Sequence, residues 1–66
     1  MSITLNGAPA AGAPTVADLV ERHLRRRQPP GVAVAVNETV VPRDRWAVWP
    51  LRDGDVVDVV TAVQGG

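Results

Sequence analysis

The sequence predicts an α+β domain, a small sheet crossed by one helix. Thirteen of the 66 residues are Val, whose branched Cβ suits a pleated, half-buried surface. A single stretch, Val16 to Leu24, repeats its apolar residues with a helical period. Around it stand five short segments of strand character, punctuated by Asn, Gly, Pro and Asp. One helix suffices to cover one face of one sheet.

Ser2 to Leu5 alternates polar and apolar residues, and Asn6-Gly7 follows, the dipeptide best suited to the positive φ angles of a two-residue hairpin turn. The return strand, Ala8 to Ala13, carries Pro9 and Gly12 and stops before Pro14, which predicts a short strand at a sheet edge. Thr15 is a good N-cap, with Asp18 three residues on to answer it. Val16, Leu19, Val20, His23 and Leu24 then form one apolar-facing stripe, with Glu21, Arg22, Arg25 and Arg26 turned away. Arg25 to Arg27 complement the negative end of the helix, and Pro29-Pro30-Gly31 ends any continuation.

Val32 to Val36 reads as a strand with valines on one face and the methyls of Ala33 and Ala35 on the other. Asn37-Glu38 turns the chain into Thr39-Val40-Val41, closed by Pro42. Between Arg43 and Pro50 no period is long enough for a regular element, but Trp46 and Trp49 are spaced for a short helical turn against the core. Asp53-Gly54-Asp55 is a turn. Val56 to Val63 is the longest strand candidate, and its one charge sets the faces: Val57, Val59, Thr61 and Val63 inward; Val56, Asp58, Val60 and Ala62 outward. The expected division is a domain over residues 1–63 and a flexible Gln64-Gly65-Gly66 tail, since glycine is costly to order and packs nothing.

Composition excludes much of the functional menu. There is no Cys and only one His, hence neither disulfide, nor thiolate nucleophile, nor a zinc site from this chain's own side chains. Seven arginines balance seven acids at a formal charge of zero, without a single Lys, which argues against general nucleic-acid or anionic-membrane binding. The apolar stretches fall far short of the ~20 residues that span a bilayer, and no leader is apparent. The expectation is a full-length cytoplasmic protein that is not an enzyme, binding no metal and no cofactor.

Individual clusters read modestly. Asp53, Asp55 and Asp58 lack the further oxygen ligands and bidentate Glu of a calcium loop, and an Asp-Gly turn beside a solvated strand residue accounts for them. His23 has no Ser or Cys placed to be its nucleophile, so a helix-edge position explains it. The run Arg25-Arg26-Arg27 reads first as a solvated helix end, second as contact with an acidic protein and third as a nucleic-acid contact, no aromatic residue being interleaved for stacking. The tail carries more. Side-chain-free residues can thread a narrow active site, and Gln64 to Gly66 reaches about 10 Å, enough to deliver a carboxylate to a partner's catalytic centre.

Val32-Ala-Val-Ala-Val-Asn37, Val41-Pro-Arg43, Arg45-Trp-Ala47, Leu51-Arg-Asp-Gly-Asp55 and Val59-Val-Thr-Ala-Val63 with Gly65-Gly66 resemble the sulfur carriers of thiamine biosynthesis, the ThiS family. Asn6-Gly7 and Thr15-Val-Ala-Asp-Leu19 extend the match more loosely. The resemblance implies a ubiquitin-like β-grasp with a small mixed sheet. It also implies a cycle: an E1-like adenylyltransferase uses MgATP to adenylate the Gly66 carboxylate, a persulfide donor supplies sulfur to form a thiocarboxylate, and thiazole synthase receives it. Gln64 departs from the small residue often found before the glycines, and residues 25–31 match nothing diagnostic. If their strands are neighbours, Ala33, Ala35, Val60 and Ala62 make a smooth patch for the activating enzyme. Alternatives are a sulfur carrier for molybdopterin, a sulfur amino acid or a secondary metabolite, a ubiquitin-like modifier joined to target lysines, and a plain binding module.

Overall fold

Both hairpins form at the turns their dipeptides predict. In the computed structural model, which describes residues 1–62, strands β1 (Ser2–Leu5) and β2 (Ala8–Ala11) pair antiparallel across Asn6 and Gly7, whose φ angles are 50° and 83°. Strands β3 (Val32–Val36) and β4 (Thr39–Val41) pair across Asn37 and Glu38, at 50° and 70°. Two consecutive positive φ angles give the turn whose twist matches that of the strands it joins. β2 ends at Ala11, two residues short of the expected strand, and lies at the sheet edge opposite β4. The missing N–H of Pro9 therefore costs no ladder bond to a further strand.

The last strand, β5 (Val56–Thr61), enters the middle of the sheet. The order is β2-β1-β5-β3-β4, with β5 parallel to β1 and antiparallel to β3. This mixed five-stranded sheet, crossed by helix α1 (Val16–Leu24), is the expected β-grasp. The parallel pairing with β1 is short, matching Thr4 to Val56 and Leu5 to Val57. The Asn6 side chain then prolongs it, accepting from Val59 N–H at 2.8 Å and donating to Val59 C=O at 3.2 Å. Asn37 clips the other flank: its backbone N–H donates to Val56 C=O at 2.7 Å and its Oδ1 accepts from Val56 N–H at 2.9 Å.

Helix α1 covers one face. Thr15 caps it, its hydroxyl oxygen accepting from Asp18 N–H at 3.2 Å, and Val16 N–H donates to Trp49 C=O at 3.0 Å. Val16, Leu19 and Val20 are buried as the stripe predicts, and Ala17 joins them. His23 does not. The last helical turn runs past the sheet, leaving Leu24 half-buried and His23 exposed. A 3₁₀-helix over Arg43–Val48 is the short helical turn expected around the tryptophans. It buries Trp46, whose indole N–H donates to Val41 C=O at 3.2 Å, while Trp49 packs half-buried against the core.

β5 alternates largely as predicted: Val57 and Val59 are buried, Val56, Asp58 and Val60 exposed. Thr61 departs from its inward assignment. It pairs with Val32, itself only half-buried, where the sheet extends beyond the core, and it is exposed. β5 is described as far as Thr61, and the inward assignment of Val63, like the expected 64–66 tail, lies outside the described residues.

Asn6→Gly tests the side-chain clip, because glycine keeps the positive φ while removing both hydrogen bonds to Val59. The expected loss is about 1–3 kcal/mol, read as a lowered denaturation midpoint. An unchanged midpoint would show that the clip contributes nothing to holding β5.

Candidate functional site

The candidate site lies at the end of the sheet from which the chain leaves β5. Val32 of β3 faces Thr61 of β5, and one residue on, Ala62 N–H donates to Gly31 C=O at 2.6 Å. The segment Gln64-Gly65-Gly66 expected to carry the chemistry begins two residues after Ala62 and lies outside the described residues.

The outer sheet face, opposite α1, carries the predicted patch. Ala33 stands directly across from Val60, and Ala35 across from Asp58, so the condition that these strands be neighbours is met. Ala33, Val60 and Ala62 are exposed and Ala35 is half-buried. Val40 belongs with them: it faces Ala35 from β4 and is 69% exposed, more than Val60 at 60%. The sequence held a signal for it. A two-residue turn at Asn37-Glu38 pairs Val36 with Thr39 and hence Ala35 with Val40. Asp58 is the one charge within this apolar group.

Beside the exit from β5 lies the loop from Arg25 to Gly31, and its charges are arranged differently from the expected helix end. The helix stops at Leu24, with Arg25 left-handed at φ 65° and its N–H donating to Glu21 C=O at 2.8 Å. Arg27 does not complement the helix terminus but turns back to the first-turn acid, meeting Asp18 at 3.0 Å and Glu21 at 3.4 Å. The Arg27 guanidinium first, and then the Thr15 hydroxyl, hold the Asp18 carboxyl below its ordinary value, and Arg27 is raised in turn. Arg43 fixes the other half of the loop. It donates to the carbonyls of Gln28 and Pro29, the latter at 2.8 Å, and stacks 5.0 Å from the Trp46 ring centroid.

Among the described residues no cluster of three His, Cys, Asp or Glu stands ready for a metal. Asp53 instead accepts from Ser2 N–H at 2.8 Å, which ties the turn before β5 to β1, and Asp55 accepts from Arg52 N–H at 2.8 Å within that turn. At the far end of the sheet an open groove of about 480 Å³ is lined by Val36, Thr39, Trp49 and Arg52. No helix among the described residues is long and apolar enough to cross a membrane.

The model of the ThiS family matches residues 3–66. The chain belongs to the ThiS family. The sulfur carrier protein ThiS of Escherichia coli K12 is 39% identical over 56 residues, spanning 85% of this chain and 82% of that protein. The crystal structure of the thiamine biosynthesis protein ThiS of Geobacter metallireducens superposes with a TM-score of 0.76 at 31% identity, with both chains fully covered. A solution structure of a thiamine biosynthesis protein from the same organism gives the same TM-score and identity, over 88% of its own chain. The ThiS match extends through Gly65 and Gly66, and these relatives carry the ubiquitin-like architecture of this sheet and helix.

The Asp18 contacts predict a pH dependence. Its folded value is depressed, so its contribution is present above the unfolded value near 4 and is lost as pH falls through the folded value. Thermal midpoints of the wild type and Asp18→Asn should therefore differ near pH 6 and converge in stronger acid. A difference that is the same at every pH would contradict the assignment.

Proposed function

We propose that this chain is a sulfur carrier for thiamine biosynthesis, a co-substrate of its partner enzymes with Gly66 as the loaded residue. The observation that carries the reading is the ThiS family match through residue 66, with a curated sulfur carrier among the relatives. A carboxylate is a poor electrophile at neutral pH. The Gly66 carboxylate oxygen therefore attacks the α-phosphorus of MgATP on an E1-like adenylyltransferase and expels pyrophosphate. A persulfide sulfur then attacks the acyl carbon and AMP leaves. A partner thiol cleaves the resulting S–S bond, keeping the disulfide on the partners and leaving the thiocarboxylate on Gly66, from which thiazole synthase takes the sulfur. A cycle that consumes ATP in this way belongs in the cytoplasm.

The chain's own residues supply the acyl group and recognition. Gln64 and Gly65 thread the partner's active site, where a Cβ at residue 65 or 66 would collide. Ala33, Ala35, Val60 and Ala62, joined by Val40, form the apolar surface for the activating enzyme. What supports this assignment is their adjacency across β3, β4 and β5 and their exposure on the face α1 leaves uncovered. The absence of Cys suits the chemistry too, since a neighbouring thiol would intercept the acyl-adenylate.

Incubation with the activating enzyme, ATP and a sulfur donor should shift the intact mass by one sulfur-for-oxygen exchange. Removing Gly66 should abolish that shift while leaving the thermal midpoint unchanged, and continued loading would overturn the reading. Val60→Asp should lower kcat/KM for adenylation about tenfold or more, the scale of a charge buried unpaired at an interface, with little change in the midpoint. Unaltered kinetics would remove Val60 from the docking surface.

A further inference from the structure

Three of the seven arginines are engaged within the fold, and two of them, Arg27 and Arg43, pin the loop between α1 and β3. Arg22 donates to Gly12 C=O at 2.8 Å and to Ala11 C=O, Arg27 pairs with Asp18 and Glu21, and Arg43 holds the Gln28 and Pro29 carbonyls. Of the other four, Arg25 and Arg26 lie on this loop. Both are exposed, and neither guanidinium meets an acceptor among the described residues. The nearby acids of α1 are already committed to Arg27. Arg25 moreover occupies a left-handed C-cap, φ 65°, where glycine is the usual residue and an L side chain costs conformational energy. That cost is unmatched by any hydrogen bond or ion pair of its side chain among the described residues. Downstream, the same pinned loop reaches Gly31, whose carbonyl holds Ala62 as the chain leaves β5.

We propose that Arg25 and Arg26 read an acidic surface on the enzyme that adenylates the tail, beside the channel the tail enters. The inference rests on the proposed function, because it requires an enzyme that draws in residues 64–66 and so brings its rim against this loop. Charge decides the class of partner. A pair of exposed, uncompensated guanidiniums on a chain of zero formal charge is a local acid-seeking feature rather than the broad basic field or aromatic-lined stripe that nucleic acid requires. Planar forks also suit bidentate capture of carboxylates. Arg45 and Arg52 lie on other elements, the 3₁₀-helix and the turn before β5, and take no part.

The competing role is structural, cations placed at the negative end of α1, and a glycine variant separates the two. Arg25→Gly relieves the left-handed backbone, so its thermal midpoint should hold or rise, while kcat/KM for adenylation should fall several-fold. The double variant Arg25→Ala/Arg26→Ala should lose about tenfold in kcat/KM at low ionic strength and converge with wild type at high salt, with a shallower salt dependence than wild type. Wild-type kinetics and salt slope in both variants would overturn the inference and leave the carrier function standing. So would a loss that is equal at all salt concentrations and tracks a lowered midpoint. Retention of the wild type on single-stranded RNA, lost in the double variant whose adenylation is unchanged, would reassign the pair to nucleic acid. A wild type that is not adenylated at all overturns both this inference and the proposed function.

Discussion

The structure depends on placing the last strand of the chain in the middle of the sheet. β5 has β1 on one side and β3 on the other, so neither hairpin can complete the core until the C-terminal segment has arrived. The β1 side of that placement is thin in backbone pairing, two residues in parallel register. The two turn asparagines reinforce it from opposite flanks, Asn6 on Val59 and Asn37 on Val56. Each thus does two jobs: it accepts the positive φ that closes its own hairpin, and its amide acts as an extra rung for β5. Position also follows from this arrangement. A strand held centrally on both edges delivers its C-terminal end at a fixed point of the sheet, beside Gly31.

Much of this was legible in residue types. Asn-Gly and Asn-Glu between alternating segments announced both turns, Thr15 with Asp18 announced the helix start, and Asp58 set the faces of β5. These are local signals, each decided by residues within a few positions of one another. What escaped was decided at a distance. The order of strands depends on which edge β5 can reach. The fate of Arg27 depends on the helix stopping at Leu24, which lets the chain double back toward Asp18. His23 lies on the correct angular stripe, yet its exposure is set by where the sheet ends beneath the helix, and Thr61 is exposed for the same reason. Periodicity reports the direction of a side chain and not the extent of the surface it faces.

The candidate site was legible in a different sense. Gly65 and Gly66 stood out because they are useless to a fold, and the ThiS match covers them. The patch was half visible: Ala33, Ala35, Val60 and Ala62 followed from alternation, whereas Val40 required the hairpin register to be carried one strand further. The clamp of Arg43 on the 28–29 carbonyls left no trace in spacing, because these partners are fourteen and fifteen residues away and are backbone atoms.

The two faces of β5 bear on how a chain this short can be both stable and receptive. Valine on both sides is the pattern of a strand covered on both faces, but the chain supplies a single helix among its described residues, and α1 covers only the side of Val57 and Val59. Val56 and Val60 therefore stabilise the strand through their conformational preference while leaving apolar area in water. Such a face invites face-on association, and Asp58 between them places one charge where an identical copy would have to bury it against its own. A dissimilar partner that answers Asp58 with a donor escapes that penalty. The same residue pattern thus favours a heterologous cover over self-association.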